Sequence, residues 1–121
     1  MRNYTLMRGI LLAIRNADKP LIFDDFSKAG TYEDVREELL RLSDENLIAE
    51  EITPNNLVSV EMETLTKEGA NFARCIENDR VFAIVYRTLK EADLDLSYPF
   101  LKEVCDEVAK RYVMSKIPNF D

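Results

Sequence analysis

The chain has no histidine, and that absence removes Ser-His-Asp and Cys-His nucleophilic systems, histidine-bearing metal sites and the commonest general base. Its three glycines, Gly9, Gly30 and Gly69, stand far apart, so neither a phosphate-cradling loop nor a dinucleotide fingerprint can be assembled from them. The only cysteines are Cys75 and Cys105, each in an apolar stretch with helical spacing. No disulfide framework or CxxC pair exists, and both are expected as buried thiols in a reducing cytoplasm. The longest uninterrupted apolar run, Ile10 to Ile14, is flanked by Arg8 and Arg15. It is far short of a membrane span and too charged at its edges for a signal segment. No internal repeat, low-complexity segment or linker rich in Gly, Pro or Ser interrupts the chain.

What is present is the material of one folded core. The 121 residues fit a single domain, and 46% hydrophobic against 32% charged is too apolar for charge-driven disorder. The net charge of −7 is unevenly spread: residues 1–65 hold 7 Lys or Arg against 13 Asp or Glu, and residues 66–121 hold 9 against 10. Such a balance disfavours phosphate backbones and anionic lipid as partners unless a local basic patch offsets it.

Asn3 is placed to cap a first helix with Leu6, Met7, Ile10, Leu11 and Ile14 on one face, and Gly9 within it predicts a close helix contact. Asp18-Lys19-Pro20 ends it. Leu21-Ile22-Phe23 predicts a short strand, and Asp24 to Gly30 a turn or two of helix. Thr31 opens a second helix, with Glu33 and Asp34 in its first turn and a buried stripe of Tyr32, Val35, Leu39 and Leu42. Asn46 is its left-handed terminator. Leu47 to Ile52 and Leu57 to Leu65 bracket Thr53-Pro54-Asn55-Asn56 and predict a hairpin. In its second strand Val58, Val60 and Met62 are expected to face inward. Thr66 caps a third helix in which Gly69 permits close approach. Asn78-Asp79 restarts the chain into a fourth helix, and Pro99 sits in the first turn of a last one.

This order predicts an α+β, mainly α domain: a winged helix-turn-helix (α-β-α-α-β-β) over residues 1–65, then about three C-terminal helices over 66–121 packed on it as one structural unit. Three segments carry a family resemblance: Arg8-Gly9-Ile10-Leu11-Leu12-Ala13-Ile14, the helix from Tyr32 to Ile48 leading into Asn46-Leu47-Ile48, and Leu65-Thr66-Lys67-Glu68-Gly69. With them the chain resembles the YjcQ-like family of small phage and prophage winged-helix proteins, a domain of unknown function. The resemblance implies a phage-type origin and a winged-helix fold. It implies no catalytic residue.

A winged helix that reads DNA presents basic and amide side chains on its second helix and wing. Here the outward charged positions of that helix are Glu33, Asp34, Arg36, Glu37, Glu38, Arg41, Asp44 and Glu45, and no Lys or Arg occurs between Arg41 and Lys67. A head of this sign repels the phosphates it must approach. The expected function is therefore a non-enzymatic interaction protein that binds an unidentified protein, or itself, through an acidic surface. That surface comprises Glu33, Asp34, Arg36, Glu37, Glu38 and Arg41, with Asn55 and Asn56 on the wing. A stripe of Leu101, Val104, Cys105, Val108 and Tyr112 offers a seam for a homodimer. The alternative is a sequence-specific DNA-binding regulator in which Arg36 and Arg41 read bases and Asn55 and Asn56 touch a minor groove. Adjacent acids such as Asp24-Asp25 and Glu50-Glu51 point to different sides and make no catalytic dyad, and calcium-loop spacing is missing, so no metal or cofactor is expected.

Overall fold

The computed structural model describes residues 2–93 and 95–118. Its five helices are α1 (Tyr4–Asn16), α2 (Tyr32–Asp44), α3 (Lys67–Glu77), α4 (Asp79–Ala92) and α5 (Tyr98–Met114), with a 3-10 turn at Phe23–Phe26. The chain divides into two compact units, Arg2–Ala73 and Arg74–Asp121, and the division falls inside α3.

In the first unit α1 begins where Asn3 Oδ1 accepts a hydrogen bond from the Leu6 amide at 3.0 Å, satisfying an amide that has no partner within the helix. Its stripe of Leu6, Met7, Ile10, Leu11 and Ile14 is fully buried. α2 starts in the same way, with Thr31 Oγ1 accepting from the Asp34 amide at 3.1 Å. It ends where Asn46 turns left-handed at φ 59°, which lets the Leu47 amide reach back to the Leu42 carbonyl at 3.0 Å and the Asn46 amide to Ser43 at 3.0 Å. α1 and α2 pack together, burying Val35, Leu39 and Leu42. Tyr32, expected in that stripe, is 59% exposed and instead rests its ring on Phe23, centroids 5.0 Å apart.

The expected α+β class and its wing are overturned. The architecture is all-helical, and among the described residues the only extended pairings are two isolated antiparallel bridges, Leu21 with Met62 and Ile48 with Leu65. The reason lies in where residues 50–60 spend their hydrogen bonds. Ser43 Oγ on α2 accepts the Ile52 amide at 2.8 Å, so that donor is lost to a hairpin ladder. Asn56 then gathers the chain into a knot: its side chain accepts from the Thr53 amide at 2.8 Å and donates to the Glu51 carbonyl at 2.9 Å. Its carbonyl accepts from Ser59 at 3.0 Å and Val60 at 2.8 Å. Residues 54–59 are thus wound into turns rather than extended. The predicted alternation fails with them: Val58 is 63% exposed, whereas Leu57 and Met62 are buried.

Two glycines behave oppositely. A Cβ on Gly69 would run into the Leu47 backbone carbonyl, so this position requires the close approach that only glycine allows. Thr66 fixes the approach, its hydroxyl accepting the Gly69 amide at 3.0 Å and donating to the Asn46 carbonyl at 2.7 Å. Gly9 has nothing within 4 Å of its Cβ position, so the close contact expected there does not exist.

In the second unit Asn78 Oδ1 caps α4 through the amides of Arg80 (2.9 Å) and Val81 (3.1 Å). α4 terminates at Asp93, left-handed at φ 54°. α4 and α5 pack as an antiparallel helical hairpin, burying Val81, Val85 and Leu89 on α4 with Tyr98, Leu101 and Cys105 on α5. No helix among the described residues is long and apolar enough to cross a membrane.

Candidate interaction surfaces

The acidic face expected on α2 is only partly a surface. Glu33, Asp34, Glu37 and Asp44 are exposed, and Arg36 and Arg41 are half-buried, Arg41 Nε lying 3.9 Å from Glu45. Glu38, expected to face outward, is 4% exposed. It is held by Arg2, whose Nε reaches both Glu38 oxygens at 3.2 and 3.1 Å and whose Nη2 reaches Oε2 at 2.6 Å. The other edge of the same guanidinium is taken by Glu45, Nη2 to Oε1 at 2.7 Å and Nη1 to Oε2 at 3.0 Å. One planar cation therefore bridges two carboxylates, a fork geometry that lysine cannot copy. Burial pushes the Glu38 carboxyl above its ordinary range, opposed by its hydrogen bonds to Arg2. A signal for this was present in the sequence: Glu38 lies three residues after Val35 and four before Leu42, within the buried stripe.

On the expected wing, Asn55 is exposed. The Asn56 side chain is spent on the turn described above and is not available to a nucleic acid.

The stripe on α5 separates into two sets. Leu101 and Cys105 are buried in the packing of the second unit and cannot form a seam, correcting that part of the expectation. Val104, Val108 and Tyr112 are half-buried and, with Ile84 and Thr88 of α4, form the apolar wall of a groove of about 600 Å³. Glu103, Glu107, Arg111 and Ser115 complete its lining. Its polar groups are largely engaged with one another or with their own helix. Arg111 Nε donates to Glu107 Oε1 at 3.0 Å, the Thr88 hydroxyl to the Ile84 carbonyl at 2.8 Å and the Ser115 hydroxyl to the Tyr112 carbonyl at 2.6 Å. Lys116 Nζ stands 5.2 Å from the centre of the Tyr112 ring. Such a depression suits apolar side chains of another polypeptide better than a small polar ligand, which needs converging donors and acceptors to orient it.

The cysteines meet inside the second unit, Cys75 Sγ lying 3.4 Å from the Cys105 carbonyl oxygen, which accepts its hydrogen bond. Burial pushes both thiols up, Cys105 well beyond the ordinary thiol range, so neither is a ready nucleophile.

No protein-family model matches this chain, nor does any curated protein or solved structure.

Proposed function

We propose that this chain is a non-enzymatic interaction protein that binds another polypeptide through the acidic-rimmed apolar groove between α4 and α5. The observation that carries the reading is the half-exposed row Val104, Val108 and Tyr112 beside Ile84, with Glu103 and Glu107 at its edge. Apolar side chains left open to water in one row mark a contact surface, and the carboxylates beside them favour a partner with basic flanks. The exposed acids of α2, Glu33, Asp34, Glu37 and Asp44, add to the field that steers such a partner. A cytoplasmic setting follows from two cysteines without a disulfide framework, and a phage or prophage context from the resemblance of residues 8–14, 32–48 and 65–69. Nucleic acid is disfavoured: α2 offers phosphates mainly carboxylates, and Arg41 is drawn to Glu45.

Selection of displayed peptides on the full chain tests the reading, with the Val108→Lys variant as counter-selection. Enriched peptides should carry apolar anchors at helical spacing next to Lys or Arg and should lose binding to Val108→Lys. Peptides that bind both forms equally, or no enrichment at all, would refute it.

A further inference from the structure

Resting on the reading of the α4–α5 groove as a contact surface, we propose that its occupant is a second copy of this chain, the two α5 helices crossing antiparallel about Glu107. In a two-fold pair of antiparallel helices, the residue a given distance before the crossing on one helix meets the residue the same distance after it on the other. Seven residues to either side of Glu107 stand Phe100 and Met114, 59% and 57% exposed, and a seven-residue step returns a helix to nearly the same face. Each would rest on the other's partner, thioether against ring, a favourable contact. Four residues to either side stand Glu103 and Arg111, both lining the groove and of opposite charge. The pattern along α5 is therefore complementary to its own reversal: apolar meets apolar and acid meets base, each contact made twice.

A parallel pairing in register would set Glu103 against Glu103 and Arg111 against Arg111, which costs free energy instead of contributing it. Glu107 meets its own copy at the crossing, but each carries Arg111 of its own chain at 3.0 Å, so two ion pairs meet rather than two bare carboxylates. Leu101 and Cys105 play no part, being buried within one chain. Val104 and Val108, along the same side, are the side chains that the second α5 covers.

Sedimentation equilibrium of the full chain and its variants tests the pairing, with circular dichroism confirming that each variant folds. The unaltered chain should dimerise. Glu103→Arg and Arg111→Glu should each weaken the dimer about tenfold, since either change places like charges across both contacts. The double variant should recover affinity to within about twofold, as should an equimolar mixture of the two single variants. A chain that stays monomeric at high micromolar concentration overturns the pairing. So does a dimer that the single reversals leave unchanged, or one that the double variant fails to restore. A monomer that still selects peptides in a Val108-dependent manner would sink the self-pairing and leave the groove reading standing. Self-association that Val108→Lys does not alter would sink both.

Discussion

Replacing Arg2 by methionine leaves Glu38 in a protein interior with no counter-charge, and the cost can be bounded from the geometry. The Arg2 side chain is 1% exposed, Glu38 4% and Glu45 12%, so solvent screens the first pair very little. With an effective dielectric of about 20, two unit charges about 4 Å apart attract by about 4 kcal/mol. Much of that gain is offset by desolvation of the ions, but truncating one partner keeps the desolvation of the other without the attraction. Measured costs of such a break run to about 3–5 kcal/mol. A domain of this size has about 5–15 kcal/mol in total, so Arg2→Met should remove a third or more of its stability. With a urea slope of about 2 kcal/mol per molar, the midpoint should fall by about 2 M. Replacing both members, Arg2→Met with Glu38→Leu, should recover most of the loss, because apolar residues of similar volume fill the space and Glu45 lies nearer to water. Urea titration followed by circular dichroism reads all three chains. If Arg2→Met cost under about 1 kcal/mol, the level of an exposed ion pair, or if the double variant were no better than the single, the buried fork would not carry stability as argued.

The two glycines make a matched pair of predictions. Gly69→Ala drives a methyl group into the Leu47 carbonyl and should cost about 3 kcal/mol, whereas Gly9→Ala fills open space on a helix and should add about 0.5–1 kcal/mol; thermal melts moving in the same direction would contradict the contrast. The cysteines predict a pH dependence. Because burial raises both thiols, the thiolates that alkylate form only as pH rises above the ordinary thiol range. Iodoacetamide at neutral pH should modify Cys75 slowly and Cys105 only after denaturation, and mass spectrometry showing rapid native modification of Cys105 would refute its burial.

The helices of this protein were legible because their signals are local. Asn3, Thr31, Thr66 and Asn78 each stand just ahead of an apolar periodic run, and each caps the helix it precedes. Asn46 was readable as a left-handed stop for the same reason. The hairpin was misread because its fate is decided elsewhere. The alternation Val58, Val60, Met62 has the period of a strand, but the Ile52 amide belongs to Ser43 on α2, nine residues back. Asn56 closes both faces of its turn with a single side chain. A period of two in side-chain character states what a strand would bury if one formed, and says nothing about whether the backbone donors are free to form it.

Glu38 and the α5 stripe expose the complementary weakness, since both lie in helices whose apolar periodicity was read correctly. A wheel assigns a charged residue to the outside by its type, and Glu38 was placed there although its position belongs to the inside. Only Arg2, 36 residues away in sequence, makes that position tenable. On α5 the wheel drew Leu101, Val104, Cys105, Val108 and Tyr112 as one stripe, yet the packing of the second unit covers only its Leu101–Cys105 side. An apolar face broader than its neighbours can cover leaves a residue of exposed side chains, here Val104, Val108 and Tyr112, lining a groove instead of entering the core. That uncovered part cannot be found by counting periods, because it is the difference between two widths, one set by the helix and the other by what packs on it. The charge order beside it, acid at Glu103 and base at Arg111, has meaning only once those side chains are known to be open, and it then limits which copy of which helix can close them.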